Sequence, residues 1–234
     1  MMRFSPYVSP GFVMKTKDLN RYLGDLGWHQ SPVPPESKAP PCVGPPAAGE
    51  TLESLASTAA GCTLCRLSEK RQTVVFGEGD PKAGVMFIGE GPGAEEDRTG
   101  RPFVGQAGQL LDRMIFAMGF ERQEVYIANV VKCRPPGNRD PKEDEVAACA
   151  AYLDRQIDLI EPEIIVALGK PASRRLTGAN KSMGALRGRW SSYRGTPLMP
   201  IYHPAFLLRN PKAKREVWED LKLVMRRVES TSEE

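Results

Sequence analysis

The sequence predicts an α/β fold, a three-layer α/β/α arrangement around a central four-stranded parallel sheet. Two observations predict it. Short apolar runs typical of buried strands occur four times, and each is followed by a segment with helical spacing of its apolar residues. The 234 residues are also enough for one full core plus an appendage. Sheets of this kind bind ligands at the carboxyl ends of their strands.

The first part of the chain differs in composition from the rest. Residues 1–49 are predicted to form a proline-rich, partly disordered extension, and residues 50–234 the domain. Seven prolines between Ser31 and Pro46 favour extended chain, after a short amphipathic helix over Asp18–Trp28. Cys42 lies in the proline-rich stretch, where a surface thiol is the simplest interpretation.

Composition excludes some classes of protein. No apolar run approaches the roughly 20 residues that span a bilayer, and no signal-peptide pattern opens the chain, so we expect a cytoplasmic protein with no membrane partner. The net charge of +3 is compatible with nucleic acid without indicating it. Five cysteines are an odd number for a disulfide framework, which favours their use as metal ligands.

The predicted strand Val85–Ile88 runs into a glycine-rich loop, and Leu110–Met118 then shows helical spacing. As a nucleotide fingerprint the loop is weak, because it lacks the last glycine of the G-x-G-x-x-G motif. It carries Glu90 and Asp97, with little nearby to neutralise them. A solvated turn is the alternative interpretation.

The second predicted strand, Val125–Val131, contains Asn129, whose amide is either satisfied by the scaffold or presented to a ligand. The loop that follows is broken by prolines and a glycine and has Asn138 at its tip. A helix is predicted over Pro141–Ile160, with Cys149 on its inner stripe.

A third strand is predicted at Glu163–Leu168, followed by a helix at Pro171–Leu176. The basic segment Lys181–Arg194 has interleaved aromatic residues, which suit a phosphate backbone with exposed bases, or equally a solvated hairpin.

The fourth strand, Leu198–Tyr202, ends at His203, and Lys214–Val228 is predicted to close the fold as a helix. Right-handed crossovers place the loops after the first, second and fourth strands at one edge of the sheet. Glu90, Asn129 and His203 should therefore converge there.

The cysteines are spaced as one pair and two distant residues. Cys62 and Cys65 form a C-x-x-C pair, which alone fits zinc, a redox dithiol or an iron–sulfur cluster. Cys133 and Cys149 stand far from that pair, with fifteen residues between them. A zinc ribbon more often offers a second C-x-x-C, so the spacing favours a cubane iron–sulfur cluster over zinc without excluding either.

The converging groups suit a flat polar ring. The Asn129 amide is able to pair with an imide edge, and Phe103 to stack on the ring. His203 would donate a hydrogen bond to an oxygen on which negative charge develops. Glu90 or Asn138 would position water.

Four segments together resemble the family 4 uracil-DNA glycosylases, over roughly residues 52–228. They are Gly-Glu-Gly-Pro-Gly-Ala-Glu-Glu-Asp from residue 89, Gly-Arg-Pro-Phe-Val-Gly-Gln-Ala-Gly from residue 100, Asn-Val-Val-Lys-Cys-Arg-Pro-Pro-Gly-Asn-Arg from residue 129 and His-Pro-Ala from residue 203. The resemblance implies flipping of deoxyuridine out of DNA and hydrolysis of its N-glycosidic bond, the first step of base excision repair. It also implies a four-iron four-sulfur cluster.

The resemblance assigns residues to roles. The implied catalytic residues are Glu90, Asn138 and His203. The implied substrate-binding residues are Gly89, Glu90, Gly91, Phe103, Asn129 and His203. The implied DNA contacts are Arg187, Leu207 and Arg209, with Leu208 in the same segment, and the implied cluster ligands are Cys62, Cys65, Cys133 and Cys149.

The expected partner is uracil-containing DNA, single- or double-stranded, bound by a monomer. The N-terminal extension is a candidate contact for a repair or replication protein. The chain departs from the family at Gly91, where alanine is frequent, and its loop Arg134–Pro141 lacks the histidine of the branch that forms a covalent adduct. A non-catalytic iron–sulfur DNA-binding module and a small-nucleotide hydrolase are the alternative hypotheses.

Overall fold

The computed structural model describes residues 49–231. Residues 1–48, which carry the predicted N-terminal helix and Cys42, lie outside the described residues. Among those that are described, no helix is both long and apolar enough to cross a membrane.

The described residues contain one sheet of six strands, in the spatial order β1-β3-β2-β4-β6-β5. The strands are β1 (Glu78–Gly79), β2 (Val85–Gly89), β3 (Tyr126–Asn129), β4 (Ile164–Leu168), β5 (Ser191–Tyr193) and β6 (Thr196–Ile201). Neighbours among the inner strands pair in parallel, and β1 and β5 add antiparallel edges. The predicted α/β fold is confirmed, with six strands instead of four.

The described helices are α1 (Leu52–Ala60), α2 (Ala94–Thr99), α3 (Gln106–Ala117), α4 (Glu143–Ile160), α5 (Gly169–Thr177), α6 (Met183–Leu186), α7 (Pro204–Arg209) and α8 (Lys214–Thr231). The long amphipathic helices begin and end close to their predicted residues. The short α2, α6 and α7 were not predicted, because four to six residues do not establish a helical period.

Alternate side chains of the strands supply two separate cores. Met86 and Ile88 of β2 pack with Leu153 of α4 on one face of the sheet. Val85 and Phe87 pack with Leu111 of α3 on the other. Because helices cover both faces, a ligand reaches the inner strands at their carboxyl ends.

Only the end of the basic segment Lys181–Arg194 forms a hairpin, because its first part contains the helix α6. Strands β5 and β6 pair across a turn at Arg194 and Gly195, both at positive φ. The chain matches much of the segment's charge itself, since Arg194 pairs with Asp158 at 2.8 Å and Arg187 with Asp220 at 2.7 Å.

Candidate active site

The carboxyl ends of β2, β3 and β6 open into one cavity of about 550 Å³. The structure brings Glu90, Asn129 and His203 together there, as the topology predicted. The wall also includes Gly91, Phe103, Asn138, Asp140 and Arg209. Most of the predicted site residues therefore surround a single space large enough for a nucleobase and part of its sugar.

Asn129, the last residue of β3, has a side chain that is 1% exposed, and its Oδ1 atom has no hydrogen-bond partner. Gly89 stands opposite it in the parallel pair. A Cβ atom at Gly89 would lie 2.4 Å from Asn129 Oδ1 and 2.5 Å from Phe103 Cζ, so only glycine lets both side chains approach. A buried acceptor without a donor costs about 1–3 kcal/mol, which a bound N–H group would recover.

Phe103 supplies the aromatic surface of the cavity. Its side chain is 6% exposed, and its ring centroid lies 5.6 Å from that of His203, with 31° between the ring planes. The backbone of Phe103 has φ of 51°, in the left-handed region that costs about 1–3 kcal/mol for a residue other than glycine. The surrounding structure therefore holds this ring in place.

His203 stands between the end of β6 and the start of α7. Its Nδ1 atom accepts a hydrogen bond from the Ala205 N–H at 3.1 Å, so the proton of the neutral ring is on Nε2. Burial, with a smaller effect of Arg209, lowers the pKa of His203 to about 4. At neutral pH the imidazole is uncharged and has one N–H to donate to a ligand.

Glu90 directly follows β2. Burial raises the pKa of its carboxyl group to about 7, and the neighbouring Asp140 carboxylate adds to the rise. The side chain is thus divided between its protonated and ionised forms near neutral pH. Such a shift in a cavity wall is characteristic of a group that handles protons or water.

Asn138 and Arg209 lie at the exposed part of the wall. Asn138 ends the turn Pro136–Asn138 with φ of 56°, and its Oδ1 atom accepts a hydrogen bond from Arg134 Nε at 2.8 Å. Arg209 closes α7 and adds a positive charge at the rim.

Two predicted DNA contacts are placed differently. Leu207 is 1% exposed and packs in the core beside α3 and α8, so it presents almost no surface to DNA in this structure, and its role as a DNA contact stays a prediction. The adjacent Leu208 is 39% exposed. Arg187 is outside the cavity wall, and its guanidinium group binds the carboxylates of Asp220 and Glu216.

Glu96 was not singled out from the sequence. One carboxylate oxygen accepts hydrogen bonds from the Val104 and Gly105 N–H groups, both at 3.0 Å. The other accepts from Gly93 N–H at 3.1 Å. Glu96 thereby joins the two loops that form one wall of the cavity. The Gly93-x-x-Glu96 spacing of a helix-capping box was the available signal.

The predicted cysteines surround a second, smaller cavity, which Cys62, Cys65, Cys133 and Cys149 all line. The Lys132 N–H donates to Cys149 Sγ at 3.3 Å, and Arg71 Nη1 donates to Cys133 Sγ at 3.4 Å. Lys132 is 2% exposed, and its Nζ donates to Gln156 and, at 2.9 Å, to the Asn129 carbonyl. The Arg71 guanidinium group and the backbone N–H of Lys132 therefore contact the thiols directly.

Within residues 49–231, no three His, Cys, Asp or Glu side chains are grouped as they would be around one metal ion. Thiolates at the corners of a cubane cluster lie further apart than ligands of a single ion, because the cluster's own atoms separate them. All four predicted cysteines nevertheless line one cavity.

One cavity thus holds a neutral histidine, an unpaired buried amide oxygen, a carboxyl group that titrates near neutral pH and an aromatic ring. These groups define an α/β protein with a site suited to a flat polar ring. The chain belongs to the uracil-DNA glycosylase superfamily, whose family model matches residues 76–222. The resemblance to the family 4 enzymes is confirmed by curated relatives.

Three such relatives are type-4 uracil-DNA glycosylases. The one from Sulfurisphaera tokodaii is 47% identical over 185 residues, which cover 75% of this chain and 84% of the relative. The one from Thermotoga maritima is 46% identical, with 74% and 92% covered. The one from Saccharolobus solfataricus is 44% identical, with 75% and 85% covered.

Proposed function

We propose that this chain is a uracil-DNA glycosylase that flips deoxyuridine out of DNA and hydrolyses its N-glycosidic bond, which leaves an abasic site for base excision repair. The observation that carries the proposal is the unpaired, buried Oδ1 atom of Asn129 at the bottom of the cavity. The similarity to type-4 uracil-DNA glycosylases supports the same activity.

Base recognition follows from the donors and acceptors of the site. Uracil carries an N–H group at N3, which would donate to Asn129 Oδ1 while the ring packs on Phe103. Cytosine has a bare acceptor at N3, so it would leave the Asn129 oxygen buried and unpaired. A site built around a hydrogen bond rejects a ligand that cannot make it far more strongly than a site built on shape alone.

Bond cleavage places negative charge on the base. As water bonds to C1′ of the sugar and gives up a proton to ionised Glu90, the C1′–N1 bond breaks and its electron pair leaves with uracil. The Nε2–H group of His203 would donate to the uracil oxygen on which that charge collects, and its neutral state avoids an early proton transfer. Ionised Glu90 would orient the water and stabilise the positive charge that develops on the sugar.

We further propose that Cys62, Cys65, Cys133 and Cys149 hold a four-iron four-sulfur cluster. All four line one cavity, and two N–H groups already point at sulfur atoms. The buried cation Lys132 has no carboxylate among its hydrogen-bond partners, which suits an anionic group beside it. When bound, the cluster supplies a rigid cross-link between the Cys62–Cys65 segment and α4.

An oligonucleotide assay tests the activity. Labelled oligonucleotides that contain one uracil are incubated with the protein, either single-stranded or with the uracil paired with guanine or adenine. They are then treated with alkali, which cuts the strand at abasic sites. Cleavage at uracil that His203→Ala abolishes supports the proposal. Phe116→Ala, at a side chain that is 78% exposed and outside the cavity wall, is the matched control. Binding of uracil-containing DNA without cleavage would favour the non-catalytic module instead. Turnover of free deoxyuridine nucleotides alone would favour the small-nucleotide hydrolase.

Iron and acid-labile sulfide determination, with the visible absorbance spectrum, tests the cluster. Cys149→Ser should lose iron and the visible absorbance. Stoichiometric zinc without sulfide would contradict the cluster and support the zinc alternative.

The exposed side chains at the rim of the cavity are the candidates for DNA contacts. Arg209 would bind a phosphate, and Leu208 takes over from Leu207 as the apolar side chain that fills the gap left by the flipped base. A monomeric state, a cytoplasmic location and a repair partner for the N-terminal extension stay predictions from the sequence.

A further inference from the structure

The backbone at Phe103 requires an external restraint. Its φ of 51° lies in a region that side-chain-bearing residues rarely adopt, yet its ring is one of the buried surfaces of the cavity. A relaxed backbone would turn the ring away from its place beside His203. Something must therefore hold the peptide groups on either side.

Arg122, which precedes β3, holds two of these groups. Its Nη1 atom donates to the Phe103 carbonyl at 3.3 Å, and its Nη2 atom donates to the Pro102 carbonyl at 2.5 Å. Asp112 of α3 accepts from the same Nη1 atom at 2.6 Å, which is the shorter of the two ion pairs of Arg122. Arg122 itself is outside the cavity wall.

The peptide group between Phe103 and Val104 is restrained at both ends. Its oxygen faces Arg122, and its N–H donates to Glu96 at 3.0 Å. Beneath it, Gly108 of α3 leaves the necessary space, because a Cβ atom there would lie 1.8 Å from the Phe103 oxygen. These contacts fix the direction in which the Phe103 ring points.

We propose that Arg122 is a positioning residue, which holds Phe103 in its left-handed backbone conformation and thereby sets the fit of the cavity to the flipped base. The competing explanation is that Arg122 stabilises the fold only through its ion pairs with Asp112 and Glu78. The link to base recognition rests on the proposed uracil-excising function. The restraint on Phe103 does not.

The test compares Arg122→Met, Arg122→Lys and Asp112→Asn in the full, cluster-loaded chain. Asp112→Asn removes the shortest ion pair but leaves both carbonyl contacts to Arg122, which makes it the matched control. A 4-fluorophenylalanine placed at position 103 reports the ring environment by fluorine NMR. Inhibition by free uracil reports the cavity, and excision kinetics separate KM from kcat.

Arg122→Met is expected to shift or split the fluorine resonance. It is also expected to weaken uracil inhibition about tenfold to a hundredfold, because a displacement of the Phe103 ring by about 1 Å causes a loss of that size. Arg122→Lys, which retains one donor for one carbonyl, should recover part of both. Asp112→Asn should keep the wild-type resonance and stay within about twofold in inhibition.

Two results would overturn the proposal. One is an Arg122→Met protein that melts at a lower temperature but keeps the wild-type fluorine resonance and uracil inhibition. If the methionine variant does not fold, the same result for Arg122→Lys counts instead. The other is an Asp112→Asn protein whose fluorine resonance and uracil inhibition change as much as those of Arg122→Met. If the wild-type protein neither excises nor binds uracil, the proposed function fails, and the fluorine resonance still decides whether Arg122 holds Phe103.

Discussion

Replacing Glu90 by glutamine is expected to make the protein more stable in mildly alkaline solution while it removes most of the excision activity. The carboxyl group is in the cavity wall, where burial and then the Asp140 charge raise its pKa from 4.5 to about 7. The ionised form is therefore disfavoured in the folded protein. Glutamine keeps the shape of the side chain and cannot ionise.

The sign follows from proton binding. Between pH 4.5 and about 7 the folded protein holds a proton on Glu90 that the unfolded chain has released. Stability from this group is fully present below pH 4.5 and is lost as pH rises through 7. A pKa difference of this size corresponds to about 3 kcal/mol, at about 1.36 kcal/mol per pKa unit. Because the side chain is partly exposed, solvent screening reduces the expected effect to about 1–2 kcal/mol.

Equilibrium urea unfolding of both proteins, near pH 5 and near pH 8.5, measures the effect. The stability advantage of Glu90→Gln should grow by about 1–2 kcal/mol between the two conditions. Asp140→Asn should show a smaller change of the same sign, since it removes only the repulsion. An advantage that is equal at both pH values would refute the reasoning, because Glu90 would then titrate alike in the folded and unfolded chains.

The remaining predictions concern catalysis and the cysteine cavity. His203→Ala should lower single-turnover excision by about 10²–10³ while uracil-DNA binding stays near wild type, because only the developing charge loses its donor; a loss confined to binding would contradict this. Asp140→Asn should move the acid limb of the pH–rate profile to lower pH, because it lowers the pKa of Glu90, and an unmoved limb would exclude Glu90 as the titrating group. Lys132→Met should release iron to a chelator faster than wild type, because the buried cation no longer compensates the charge of the cluster. The loss of visible absorbance measures the rate, and an unchanged rate would count against that role of Lys132.

The sequence predicted the parts of the fold that carry an apolar period. The parallel inner strands and long helices were found close to their predicted positions, because each buries a face against a core. Strand β1 was missed, and β5 was covered only by the hairpin alternative for the basic segment, since strands of two and three residues give no period and exist only through pairing with β3 and β6.

The site was predictable where topology determined it. Glu90, Asn129 and His203 each follow a strand, so parallel pairing brings them together. Arg122 was not predictable, because its contacts reach carbonyl groups 19 and 20 residues away. The sequence did not distinguish Leu207 from Leu208, because the apolar pattern of a six-residue helix does not reveal which leucine faces the core.

The two titrating groups of the cavity are shifted in opposite directions by the same cause. Ordinarily a glutamate and a histidine near pH 5.5 would both be charged, because the acid ionises below the base. Here burial moves the pKa of Glu90 up to about 7 and that of His203 down to about 4. Between these values both groups are neutral. Burial of both groups therefore favours their uncharged forms, and neutral His203 keeps one N–H group to donate to a developing anion.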